Sequence, residues 1–246
     1  MSPGHGDILY GRNAVAEAFR GNRQIHRLYV AEGVRWDARM QQIRSDAERR
    51  GVPVETTQRQ VLDDTVGGER HQGVLLVTSP YSYSTLSELL ESAAPVLILD
   101  HLQDPQNVGT LLRSAEVFGV SWVIIPKDRS ASITPAVVNA SAGSVEHLSI
   151  VQETNISRVI DMLKQQNYWI VGLDNAGDVS PIHELEVSYP FGLVVGAEGS
   201  GLSRSISGRC DFLARIEQLG QIESLNAAVA GSIALYHLTR QHASSM

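Results

Sequence analysis

An α/β fold in two parts, most of it a parallel sheet with helices on both faces, is predicted by three observations. Residues 93–246 alternate short apolar runs with helical segments. Runs such as Val96 to Asp100 and Phe191 to Gly196 are apolar almost throughout, as strands covered on both faces are. The polar, turn-rich stretch Ser79-Pro80-Tyr81-Ser82-Tyr83-Ser84-Thr85 then separates them from a smaller α/β unit at residues 1–78, so that 79–92 reads as a linker.

In the first unit, Asn13 to Phe19 carries Ala14, Val15, Ala18 and Phe19 at helical spacing. Arg27 to Ala31 is a strand. Asp37 to Arg50 is a helix with Asp37 as its N-cap and Gly51 as its stop. Val52 to Glu55 and Gly73 to Thr78 are strands, with a short helix at Gln58 to Asp64 between them. Leu86 to Ala93 is a helix leading into the second unit. There, strands are expected at Val96 to Asp100, Ser121 to Pro126, Trp169 to Leu173, Phe191 to Gly196 and Phe212 to Ile216. Helices are expected at Asn107 to Phe118, Asn155 to Gln166 and Leu225 to His242. Ligands of such sheets lie beyond the carboxyl ends of the strands. The loops after Asp100, Val195 and Ile216 are therefore where a site is sought.

Composition narrows the function. A chain of 246 residues, 43% apolar, can bury a sizeable core. Its longest apolar stretches are far short of a membrane span, and Met1 to Asp7 has no basic stretch followed by an apolar run, so no secretory signal is expected. The single cysteine, Cys210, forms no internal disulfide, and no Cys/His cluster offers a metal site. A soluble cytoplasmic protein is expected. The net charge of −7 weighs against nucleic-acid binding, but its distribution is uneven. Residues 1–80 carry 11 basic residues, all arginine, against 10 acidic ones, whereas residues 81–246 are acidic in balance. Arginine bonds phosphate bidentately and stacks on bases. These arginines also fit solvated helix faces with acidic neighbours, as in Asp46-Ala47-Glu48-Arg49-Arg50.

Three segments fall on the expected loops. Asn107-Val108-Gly109-Thr110-Leu111-Leu112-Arg113 opens a helix after the strand ending at Asp100. Asn107 can serve as a helix cap or as a site residue, and Arg113 lies about 120° around the axis from it. Arg113 has only Glu116 at ion-pair spacing. Val194-Val195-Gly196-Ala197-Glu198-Gly199-Ser200-Gly201 lets backbone approach a ligand closely, or simply turns tightly. It is neither a Walker loop nor a dinucleotide fingerprint, and Glu198 would repel phosphate. In Ser224-Leu225-Asn226, the serine and the asparagine are each able to cap the last helix.

In this order and spacing the three segments resemble the motifs of the SpoU (TrmH-like) family of RNA 2′-O-methyltransferases. Tyr10-Gly11-Arg12-Asn13-Ala14-Val15 and His71-Gln72-Gly73-Val74 are similar to the substrate-binding domain of its bacterial 23S rRNA guanosine methyltransferase subgroup, and Pro126-Lys127-Asp128-Arg129-Ser130-Ala131 also looks familial. The resemblance implies a SPOUT-type catalytic domain with a trefoil knot, S-adenosylmethionine as methyl donor, and a homodimer. Position by position it implies that Gly196, Ile216 and Leu225 contact the cofactor, and that Asn107, Arg113, Glu198, Ser224 and Asn226 form the catalytic region. Glu198 would hold Asn107 or Arg113 in place. The implied partners are structured RNA, ribosomal RNA first, and a second copy of the chain, with no membrane, DNA or metal. Transfer RNA, or a ribosomal target tied to antibiotic resistance, are the alternative substrates; a non-catalytic RNA-binding protein of the same fold is the alternative class. The chain departs from the family pattern at Glu217, Glu223 and Ala228, which puts acidic groups near a site expected to receive RNA.

Overall fold

Short strands flanked by glycine turns build the first sheet. The structure is a computed structural model and describes residues 6–128, 130–175, 179–197, 199, 201–222 and 224–243. The chain runs β1 (Asp7–Tyr10), α1 (Arg12–Arg20), β2 (Ile25–Ala31), α2 (Ala38–Arg49), β3 (Val54–Thr57), α3 (Arg59–Thr65) and β4 (Val74–Thr78). Strand order is β1-β4-β2-β3, with β2 and β3 parallel and the other pairs antiparallel. Asp37 caps α2 as expected, accepting the Met40 amide at 3.1 Å. Strand β1 has no counterpart in the sequence reading. It is four residues long and runs straight into α1 through Gly11.

The second sheet begins after α4 (Leu86–Ser92), which opens with a reciprocal cap between Thr85 and Glu88. Then follow β5 (Val96–Asp100), α5 (Pro105–Val117) and β6 (Trp122–Pro126). Next come α6 (Pro135–Ala140) and a 3-10 turn (Ser144–His147), then β7 (Ser149–Glu153), α7 (Ile156–Gln165), β8 (Trp169–Leu173) and the two-residue β9 (Ser180–Pro181). The chain ends with β10 (Phe191–Gly196), α8 (Arg204–Ser207), β11 (Phe212–Arg215) and α9 (Ala227–Ala243). The strand order is β7-β6-β5-β10-β8-β11-β9, and every pairing is parallel. Central strands β5 and β10 are buried at every position, which is why their sequences run apolar without alternation. Val96, Ile98, Ile170 and Val194 share one core with Val159, Ile160 and Leu163 of α7.

The chain divides into two units, and the division is not sequential. Residues 1–82 join with 133–147 in one unit, and 83–132 with 148–246 in the other. Thus α6, whose Thr134 cap and Pro135 start went unread in the sequence, and the 3-10 turn complete the N-terminal unit. Gly143 allows it: a Cβ there would lie 2.7 Å from Glu17 Cβ and 3.0 Å from Ala14 Cα. Arg23 clamps the turn from inside, with Nε donating to Glu146 Oε2 at 3.2 Å and NH1 to Asp7 Oδ2 at 2.8 Å. Its NH2 lies 3.0 Å from Glu146 Oε1 without the alignment of a hydrogen bond. Burial pushes the Glu146 carboxyl above its ordinary value, although the Arg23 guanidinium pulls it down. Removing one partner of such a pair strands the other in the interior. Arg23→Ala is therefore expected to destabilise the protein by about 3 kcal/mol or more, read from the urea unfolding midpoint; a change below about 1 kcal/mol would mean the clamp is ornamental.

Candidate active site

The cavity at the carboxyl ends of β8, β10 and β11 is built first by glycine. Gly201 donates its amide to the Ala197 carbonyl at 3.1 Å, folding the chain back immediately after β10. Gly199 and Gly201 hold φ of +77° and +61°, a region that side chains resist. Gly196 has the tightest requirement, because a Cβ there would lie 2.3 Å from the Gly201 carbonyl oxygen. The glycine segment is thus a tight turn and also one wall of a cavity of about 670 Å³. A volume of this size suits a small molecule held between apolar walls and a few polar groups.

Ile216, Leu225, Ser224 and Asn226 line the same cavity as Gly196. The expected helix at Leu225 to His242 begins instead at Ala227, because Asn226 is its cap: Oδ1 accepts the amides of Ala228 at 2.9 Å and Val229 at 3.1 Å. Ser224 and Leu225 are left outside the helix, free to border the cavity. Asn226 also reaches across the fold, its Nδ2 donating to Asn107 Oδ1 at 2.8 Å. Asn107 does not cap α5. That helix starts at Pro105, and Asp104 accepts the Gln106 amide at 3.1 Å, so the buried Asn107 side chain is available to Asn226. Small residues on α9 permit the approach. A Cβ on Gly231 would lie 2.5 Å from Leu111 Cδ2 and 3.0 Å from Val195 Cγ2, and Ser232 Oγ meets Ser114 Oγ at 2.7 Å.

Arg113 stands apart. It is exposed on α5, does not line the cavity, and makes no ion pair with Glu116 or hydrogen bond with any other described residue. Glu198 lies outside the described residues, as do Glu223 and Arg129. Among the described residues, the partner holding Asn107 is Asn226. Glu217 lies with Oε2 3.5 Å from His183 Nδ1.

Two carboxylates were missed in the sequence. Asp174, just after β8, lines the cavity and lies 3.6 Å from where a Cβ on Gly201 would be. Applying the strand-end rule to Leu173 would have found it. Asp100, 2% exposed, ties β5 to the segment beyond the glycine turn: Oδ2 accepts the Ser203 amide at 3.2 Å, and Oδ1 lies 2.6 Å from His101 Nδ1. Cys210 is no nucleophile, since burial pushes its thiol up to about 12.

These features fit a ligand with a positive centre and an apolar body. Asp174 supplies negative charge, the glycines expose backbone, and Leu225 and Ile216 supply apolar surface.

Comparison with known proteins agrees with this architecture. The SpoU rRNA methylase family model matches residues 94–236, and the model for RNA 2′-O ribose methyltransferase substrate binding matches residues 8–84. A Staphylococcus aureus protein named as a TrmH family tRNA/rRNA methyltransferase is 36% identical over 95% of this chain and 96% of its own. The crystal structure of an AdoMet-bound rRNA methyltransferase from Sinorhizobium meliloti, 25% identical, aligns with a TM-score of 0.77 over 96% of this chain and 87% of that one. The SpoU methyltransferase AviRb from Streptomyces viridochromogenes, in complex with AdoMet, aligns with a TM-score of 0.80 at 21% identity, over 98% of this chain and 92% of that one.

Proposed function

This chain belongs to the SpoU rRNA methylase family, and from that membership we propose that it transfers a methyl group from S-adenosylmethionine to a ribose 2′-hydroxyl of RNA, a guanosine of 23S ribosomal RNA being the target. The observation that carries the reading is the Asn107–Asn226 contact at the edge of a glycine-walled cavity, which joins two of the three motifs 119 residues apart. The family model over residues 8–84 supports a substrate-selecting unit ahead of the catalytic one, and so favours ribosomal over minimal transfer RNA substrates. The test is a map of 2′-O-methylation in ribosomal RNA from cells with and without the protein, beside calorimetric titration with S-adenosylmethionine. A single ribose losing its methyl group in the deletion strain is expected. An unchanged map with no heat of cofactor binding would sink the reading.

Gly196, Ile216 and Leu225 would hold the cofactor, with Asp174 offering charge to its cationic end. When bound, S-adenosylmethionine supplies a methyl group already activated on a sulfonium. The protein must then place the ribose oxygen in line and ease loss of its proton. Asn107 and Asn226, each fixing the other, give the edge of the site a set geometry. A guanidinium is a poor base, so Arg113 would orient ribose and phosphate and stabilise negative charge growing on oxygen. Ser224 offers a hydroxyl beside Asn226. Glu198, next in sequence after Ala197, would hold Asn107 or Arg113 in place. We assign the SPOUT trefoil knot to the segments around the cavity and the enzyme to the cytoplasm.

A homodimer forms through α5 and α9 in this reading. Val117, Val229, Ile233 and Tyr236 are between 41% and 64% exposed on these two packed helices, an apolar patch of the kind that marks a protein interface. Ile233→Glu is expected to yield monomers by light scattering after size exclusion, with transfer lost; a dimer of unchanged mass would place the interface elsewhere.

A further inference from the structure

Two N-terminal stretches that the cofactor cavity leaves unused meet at the edge of the first sheet. The Arg12 amide donates to Gln72 Oε1 at 2.9 Å, and Arg12 Nε donates to the Gln72 carbonyl at 3.3 Å. Gly73 at φ +82° leaves no room for a side chain, since a Cβ would lie 2.7 Å from Val34 Cγ2. His71, 2% exposed, pins the turn. Its Nδ1 accepts the Gly73 amide at 3.0 Å, so the ring proton sits on Nε2, which donates to Asp63 Oδ1 at 2.8 Å. These contacts shape a cleft of about 600 Å³ within the N-terminal unit, bordered by Arg12, Arg35, Arg59, Arg70, Asp63 and Glu69.

The arginines of this cleft differ from the others. Of the 11 in residues 1–80, seven have a carboxylate within ion-pair distance, and Arg50 donates to the Gly21 carbonyl. The remaining three, Arg35, Arg59 and Arg70, are exposed and have no side-chain partner among the described residues, and all three border this one cleft. Guanidinium groups do not shed their charge, so three of them around one hollow call for an anion brought from outside, and their fork geometry suits phosphate oxygens. Glu69 on the same rim disfavours a compact polyanion. It suits a ligand whose phosphates are spaced apart and whose base offers N–H donors. The cleft volume fits a unit of nucleotide size, and proteins read RNA chiefly where its bases are unpaired.

We propose that this cleft grips an unpaired nucleotide of the substrate RNA, with its flanking phosphodiesters on Arg35, Arg59 and Arg70. The inference rests on the RNA methyltransferase reading and says where within residues 1–82 the RNA is held. The test compares the full-length protein with the triple variant Arg35→Gln, Arg59→Gln, Arg70→Gln. A control triple variant, Arg20→Gln, Arg27→Gln, Arg44→Gln, removes paired surface arginines of the same unit. The probes are a labelled RNA hairpin with an unpaired loop and a blunt RNA duplex of equal length, titrated across a salt series. The cleft variant is expected to lose on the order of tenfold affinity for the hairpin, and its salt slope to flatten by about 2, one step of roughly 0.7 per lost contact. The control is expected to bind as wild type, and all three proteins to melt alike. Unchanged hairpin affinity and slope in the cleft variant would overturn the proposal, as would an equal loss on the duplex. Titration with S-adenosylmethionine separates the two readings. A wild type that binds RNA through the cleft but takes no cofactor would sink the methyltransferase reading and leave the cleft standing.

Discussion

An Arg113→Ala variant is expected to lose methyl transfer by a factor on the order of 10²–10³ while binding S-adenosylmethionine as tightly as wild type. The separation of the two effects follows from where the residue lies. Arg113 is exposed on α5, outside the lining of the cavity, so truncating it leaves the cavity walls intact. It has no partner among the described residues, so stability should move by no more than about 0.5 kcal/mol. On the proposed mechanism the loss is that of a positive fork brought to the sugar, worth most as charge develops on the ribose oxygen. Arg113→Lys keeps the charge without the fork and should recover only part of the rate. Single-turnover methylation at saturating cofactor, set beside a calorimetric titration, reads both quantities. Undiminished turnover in Arg113→Ala would remove this residue from the chemistry.

Gly196→Ala is expected to have the opposite signature, a loss of cofactor binding on the order of tenfold or more. The added methyl group would lie 2.3 Å from the Gly201 carbonyl oxygen and 2.9 Å from the Leu202 amide nitrogen. Both are backbone atoms that no rotamer change can move. The turn must therefore shift, and with it one wall of the cavity. Overpacking of this kind costs about 1–3 kcal/mol of stability, so the protein stays folded and the binding measurement stays interpretable. Calorimetric titration with S-adenosylmethionine, beside a thermal melt, checks the prediction. Wild-type affinity in Gly196→Ala would mean that the cofactor does not sit against this turn.

Only some features of the site and fold were legible in the sequence. The wall of the cavity was, because the residues that make it are local in sequence: glycines after a buried strand, and a serine and an asparagine ahead of a helix. The roles within the wall were not. Asn107, Ser224 and Asn226 were all candidate caps, and only the structure shows that Asp104 and Asn226 do the capping, which leaves Asn107 for Asn226 and Ser224 for the cavity. The arginines divide in the same way. The pairing of Arg44 with Glu48 and Arg49 with Asp46 follows from helical spacing. That the three unpaired ones gather on one cleft depends on how β2, α3 and the turn at His71 come together.

Strands β5, β8 and β10 and helix α7 declared themselves, because a strand covered on both faces must be apolar throughout and an amphipathic helix must repeat at its own period. Short-range chemistry of this kind is written in consecutive residues and needs no other part of the chain. Strand β1, the segment 133–147 and its capture by the N-terminal unit were decided only in three dimensions. Gly143 against Ala14, and Glu146 against Arg23, join residues more than 100 positions apart. No local pattern encodes such a contact, because its free energy exists only once both surfaces have formed and closed on each other.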